Sequence, residues 1–449
     1  MTVEKETSLD DNIYSQHLSE VNKTNKVISQ EDIRNDKGAI IVPKGKQITP
    51  EISARLATHK LAKTLDQVVG IENVVTGKTV FEDLLKIPTH QDVKKAISSA
   101  LSKEKFAREL LVLDDFPVIE QRLTVLKSRY FEIYTKTILG CHFSWLMCIE
   151  RNLNPDTRKS VILSAISRDL GLLYINPEVV NKKGKLEPEE WKLLQGHVLV
   201  SYHISKMIPG IPKPAVRAIL EHHERVDGFG YPRGLTEDKL GVESQILAFS
   251  DMFLAIFYKF ALNNANAVLA LVPVLQVNAS IHGLENGEAA LRIIKHFGSE
   301  FKPNHSNETI GPYIKKLKSA RPLFNSLVEQ LNETHALLKE NTAENIYRPS
   351  EISLRTLNNL IISSGISHES ISSWIEDLNA GDLKDDSLIE VERYGMMLSE
   401  GTWRFNELLR YYREVVPRLP TDSGPLTILP NFVEQAEESF SKLTVLFKE

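Results

Sequence analysis

Apolar residues spaced three and four apart constrain most of what this chain can fold into. Between 114 and 153 they fall at Ile119, Leu123, Leu126, Tyr130, Ile133, Tyr134 and Ile138. That repeat lays one face of an α-helix against a core. Asn154 and Pro155 stop the segment. Residues 160 to 173 read as a second buried helix. Glu187-Pro188-Glu189-Glu190 opens a third, with proline near its start and acids in its first turn. Residues 214 to 223 and 244 to 260 read as two more. A helical bundle therefore runs from 118 to about 300, with one Gly-rich insertion at 227 to 234.

The flanks differ in character. Residues 1 to 30 are polar and read as a disordered lead. In 31 to 90, Asp36-Lys37-Gly38 and Pro43-Lys44-Gly45 mark turns around a short apolar strand at 39 to 42, and Thr49-Pro50 starts a helix. This is a small α+β module. Beyond Pro312 the chain stays helical and more charged, and a Pro-rich linker at 415 to 430 precedes a last helix at 431 to 447. Trp403, Phe405, Leu408, Leu409 and Tyr412 form an apolar helical face, read as packing within its own domain rather than as a partner-binding helix.

The 449 residues are enough for two to four domains. A net charge of −5 without a long basic run argues against a nucleic-acid polymer as partner. The longest apolar run, 267 to 275, contains Pro273 and falls far short of the roughly 20 residues that a membrane-spanning helix needs. With no apolar leader at the N-terminus, the expected location is cytoplasmic. Cys141 and Cys148 would share a helix face at a separation too large for a disulfide, so both are expected as reduced core residues.

Among these apolar helices sit Asp169, His197, His222, His223 and Asp251. A buried charge or imidazole needs a partner, and converging on a metal would satisfy all five. Mixed imidazole and carboxylate donors suit iron, manganese, zinc or nickel. A lone helical histidine is more often an ordinary core or surface residue, and His203, His282, His296, His305, His335 and His368 are read that way.

The run His222-His223-Glu224, Asp227-Gly228, Gly230-Tyr231-Pro232 and Gly234-Leu235 resembles the HD-GYP family, a branch of the HD phosphohydrolases. The likeness extends over about 118 to 310, supported by "NPEVVNKKGKLEPEEWKLLQGH" and "QILAFSDMFLAI". It implies a mainly α fold: an HD-GYP-like helical bundle at 104 to 312, behind the small α+β module and ahead of a helical C-terminal region at 313 to 449. It also implies two or three metals, usually iron or manganese, and hydrolysis of cyclic di-GMP.

The sequence departs from the family at telling places. Arg168 stands where the family's HD histidine would be, with Asp169 kept beside it, and Leu172 stands for the catalytic lysine. The family's early histidine falls near Lys136, and the nearest histidine, His142, lies almost on the opposite helix face. Only Lys259 follows the last aspartate where the family carries several phosphate-gripping bases. By analogy, one metal site loses both histidines, while Asp169, His197, His222 and His223 keep the other whole. The reading is one divalent transition metal, iron or manganese ahead of zinc, or none at all. Arg168 would pair with Asp251 or Asp169 in place of the missing ion, or form an unrelated salt bridge. The expected function is a signalling protein that binds a cyclic dinucleotide or a partner protein, with a homodimer left open. The competing reading is an active phosphodiesterase using one metal plus Arg168.

Overall fold

The computed structural model describes residues 11–184, 186–226, 228–260, 268–299, 303–364, 366, 369–379, 381, 383–419 and 424–447. Asp227, His368 and part of the Pro-rich linker lie outside them. The chain is mainly α-helical and divides into two compact units. The first comprises Met1–Glu224, Gly230–Gly234 and Asp238–Leu254; the second comprises Arg225–Phe229, Leu235–Glu237 and Ala255–Glu449.

The first unit begins earlier than the sequence reading expects. Residues Asp11–Val21 form a helix, α1, in place of a disordered lead. Tyr14, Leu18 and Val21 are all fully buried. They stand four and three apart, so the apolar stripe that fixes this helix is short but present. Two small antiparallel pairs follow, β1 (Val27–Ser29) with β4 (Val69–Ile71) and β2 (Ile33–Arg34) with β3 (Ile40–Val42). Between β3 and β4 lies α2 (Pro50–Leu56), where the Thr49 side chain accepts from the Ile52 amide and Pro50 opens the first turn.

The bundle is built from α3 (Pro117–Arg129), α4 (Phe131–Glu150), α5 (Pro155–Ser167), α6 (His197–Lys206), α7 (Lys213–Glu221) and α8 (Val242–Phe260). The long periodic stretch seen in the sequence is two helices. Tyr130 leaves the helical region (φ −137°, ψ 63°) and separates α3 from α4. Apolar spacing continues through the break, which hides it from pattern reading. Asn154 caps α5 by accepting from the Thr157 amide at 2.9 Å, with Pro155 behind it. α5 ends at Ser167, and a 3-10 turn, Leu170–Tyr174, follows. Arg168 and Asp169 occupy the junction. Both cysteines are free and buried.

His142 lies in the core, away from the candidate ligands. Its Nε2 is 2.9 Å from the Ser102 hydroxyl, and its ring packs on Phe106 and Trp145. Burial pushes its pKa from 6.5 down to about 3. The folded form therefore resists protonation that the unfolded chain accepts. This stabilisation is complete above about pH 6.5 and is lost as pH falls toward 3. At about 1.4 kcal/mol per pH unit, denaturant titration should show wild type losing markedly more stability than His142→Gln between neutral pH and pH 4. Equal losses would mean that the ring titrates normally.

The second unit packs long helices, including Ile310–Asn341, Asp385–Val415 and Leu429–Phe447. Phe405, Leu408, Leu409 and Tyr412 are fully buried in its core, and Trp403 is 47% exposed. The face picked out in the sequence thus packs internally except at Trp403. Within this unit His305 bonds the buried Glu392 at 2.8 Å and His335 bonds Ser350 at 3.1 Å.

Candidate metal centre

The ends of three helical segments bring the first unit's polar groups together. Asp169 starts the 3-10 turn in a non-helical conformation (φ −98°, ψ 0°), which turns its carboxylate out of the α5 direction. His197 opens α6. His222 caps the C-terminus of α7, and His223 follows it. The donor atoms of His197, His222 and His223 all lie within 4.8 Å of one another. The His197 and His222 Nε2 atoms are 3.4 Å apart, and Asp169 Oδ1 is 3.7 Å from the first.

Hydrogen bonds aim these rings. Nδ1 of His197 donates to the Leu194 carbonyl at 2.6 Å, and Nδ1 of His222 donates to the Ile219 carbonyl at 2.7 Å. Each bond fixes the tautomer that leaves Nε2 as a lone pair facing the cluster. Burial holds all three histidines below the ordinary imidazole pKa, and the nearby imidazoles and the Arg168 charge push the pair lower still. They are neutral at physiological pH, the form a metal needs. Three neutral imidazoles beside a carboxylate fit a divalent transition metal.

The turn after the histidine pair folds back over it. Tyr231 donates its amide to the His223 carbonyl at 3.1 Å, and its ring stacks on the His223 imidazole at 4.7 Å. Gly228 and Gly234 take left-handed backbone angles (φ 80° and 62°) that L side chains resist. The Tyr231–Pro232 peptide is cis. The Glu224 carboxylate accepts from the Arg233 amide at 2.7 Å, tying the exit of the turn down.

On the other side of Asp169 stands a cation. Arg168 is 1% exposed. Its Nε is 3.2 Å from Asp169 Oδ2, and its Nη2 is 3.2 Å from Asp251 Oδ1. The guanidinium thus joins both carboxylates, where the sequence left a choice between them. Asp251 also reaches His223 Nδ1 at 3.4 Å. Burial raises the Asp251 pKa to about 6, with Asp169 adding to the rise and Arg168 and Lys136 opposing it. Lys136, near which the sequence reading expects the family's early histidine, pairs with Glu132 at 3.0 Å while its charge acts on Asp251.

Three contributors escaped the sequence reading. Thr137 donates its hydroxyl to Asp169 Oδ2 at 3.4 Å. Gly140 makes room for Arg168, since a Cβ there would lie 2.9 Å from Nη2. Gly171 packs the 3-10 turn onto α6: its amide donates to Ser201 Oγ at 2.8 Å, and a Cβ would meet the His197 carbonyl at 2.2 Å. Only relief of a backbone clash could accommodate it. Gly171→Ala should therefore push Asp169 and His197 apart, lowering both the melting temperature and the metal content. Unchanged metal content would show that the turn does not set the spacing. Leu172 packs with Ile175 and Val179.

A family model described as HD domain matches residues 119–273. The chain is 35% identical over 107 residues to a 3′3′-cGAMP-specific phosphodiesterase of Vibrio cholerae, covering 24% of this chain and 25% of that protein. It is 28% identical over 196 residues to a cyclic di-GMP phosphodiesterase of Thermotoga maritima, covering 43% and 53%. For the cyclic di-GMP phosphodiesterase PdeB of Borreliella burgdorferi the identity is 28% over 127 residues, covering 27% and 33%. The chain thus spans about a quarter to a half of the length of these relatives. No helix among the described residues is long and apolar enough to cross a membrane. The matched region contains the histidine pair, the turn folded over it and both aspartates, and residues 119–273 are an HD domain of the HD-GYP phosphohydrolase kind.

Proposed function

We propose that this chain is a cytoplasmic cyclic-dinucleotide signalling protein that holds one divalent transition metal and acts mainly by binding a ligand or partner. The observation that carries this reading is Arg168, buried between Asp169 and Asp251. His197, His222, His223 and Asp169 would hold the metal, with iron or manganese ahead of zinc. A metal bound there supplies a Lewis acid and an acidified water. Beside it, Arg168 neutralises charge on the two carboxylates, and the Lys136 charge adds to it. Little electrostatic demand for a second ion is left. Arg168 spends its nearest nitrogens on Asp169 and Asp251, so these are not free to grip a phosphoryl oxygen. Leu172 offers no charge where the family carries a lysine.

Removing one preorganised electrostatic donor typically costs about 10²- to 10³-fold in rate. Losing a metal and a lysine together should leave cyclic di-GMP hydrolysis slow or absent. One observation favours the alternative of an active phosphohydrolase: the three-imidazole cluster with Asp169 is intact, so water activation by one metal plus Arg168 is still chemically available. Calorimetric binding and product analysis with cyclic di-GMP and 3′3′-cGAMP separate the two. Metal-dependent binding without linear product supports the binding reading. Turnover that disappears in Asp169→Asn supports the enzyme.

A further inference from the structure

Away from the histidine cluster, α1, α2 and the end of α3 line a solvent-open pocket of about 360 Å³. That is within the size range of small-molecule pockets, roughly 300–1,000 Å³. Pro50, Ala54, Ala57 and Pro177 give it an apolar side, and Gln16, His17, Ser19, Glu20, Ser53 and Arg129 line the rest. Arg129 Nε donates to His17 Nδ1 at 3.2 Å. That ring is buried, and burial with the Arg129 charge lowers its pKa to about 4. A neutral imidazole therefore pins the guanidinium without neutralising it. Among the described residues, the two terminal nitrogens of Arg129 donate no hydrogen bond. The nearest carboxylate, Glu20, is 3.8 Å away and is itself held by Lys23 at 2.7 Å.

A positioned guanidinium with open terminal nitrogens matches a planar oxyanion bidentately. Glu20 close by disfavours a dianion. We infer that this cavity binds a compact organic monocarboxylate, its carboxylate on Arg129 and its apolar body against the proline and alanine walls.

The placement makes the pocket an effector site. Arg129 is the last residue of α3, one residue from the Tyr130 break, and the Tyr130 hydroxyl lies 3.4 Å from His17 Nε2. The next helix, α4, carries Thr137, which bonds Asp169. On the opposite wall, Pro177 follows the 3-10 turn that Asp169 starts. An occupant thus touches both chain segments that lead to Asp169.

Titration calorimetry of the full chain with benzoate and with phenyl phosphate tests the site. Benzoate should bind, more tightly than phenyl phosphate. Arg129→Gln should weaken it at least tenfold, and Ala57→Leu, which fills the cavity and keeps every charge, should do the same. No benzoate binding, or binding indifferent to both Arg129→Gln and Ala57→Leu, overturns the site; tighter phenyl phosphate overturns the carboxylate assignment. Saturating benzoate should also shift manganese(II) affinity severalfold, as coupling between sites requires. Unchanged manganese affinity overturns the effector role. The benzoate measurement needs no metal, so it stands even if the chain holds none.

Discussion

Arg168→Ala should destabilise the first unit by about 3 kcal/mol, the lower end of the roughly 3–5 kcal/mol cost of stripping one partner from a buried ion pair. Arg168 is 1% exposed and is the cation that bridges Asp169 and Asp251 directly. Removing it leaves two carboxylates facing each other. Asp251 is 32% exposed at its side chain, so water relieves part of that repulsion and holds the effect at the lower end. Arg168→Lys should recover only part of the loss, because an ammonium cannot span both partners as the guanidinium fork does. Adding Asp251→Asn to Arg168→Ala should recover stability, since one of the repelling charges goes. Urea unfolding of the four proteins measures this. A change below about 1 kcal/mol for Arg168→Ala would place it among ordinary surface pairs and remove the argument that it replaces an ion.

The second large effect concerns the metal. His222→Ala should abolish nearly all metal binding. Its Nε2 is 3.4 Å from that of His197, and its Nδ1 is committed to the Ile219 carbonyl. Removing an outer partner of a ligand already costs about 10- to 100-fold in affinity, so removing the ligand itself costs more. The fold should survive, because His222 sits at the C-terminal cap of α7. Elemental analysis beside circular dichroism checks both points. A folded variant with wild-type metal content would show that the ligand set is wrong.

Much of this arrangement was legible in the sequence because buried polar groups are rare and have to find one another. Asp169, His197, His222, His223 and Asp251 stand in apolar helical contexts, and the structure brings them together. Helix geometry puts His142 nearly opposite Lys136, where the resemblance implies the early histidine, and the His142 ring packs on Phe106 and Trp145. Other features depend on tertiary contacts that leave no local trace. Nothing near Gly140 says that a guanidinium from α5 will lie against it. The break at Tyr130 is invisible because the apolar spacing passes straight through it. Arg168 offered a choice of partners in the sequence, since the helix ends just before it and the 3-10 turn decides where the side chain goes. The first helix was readable but missed: Tyr14, Leu18 and Val21 make a stripe too short to stand out in a polar stretch.

We propose that a fixed cation takes the place of one metal and leaves the other site whole. Elemental analysis of protein purified without a metal-binding tag, run beside a cyclic di-GMP hydrolysis assay on the same sample, tests it most directly. The expected result is about one tightly bound transition metal per chain and no linear product. Two metals per chain with product would contradict it: Arg168 would then coexist with a complete binuclear centre, and the protein would be an enzyme.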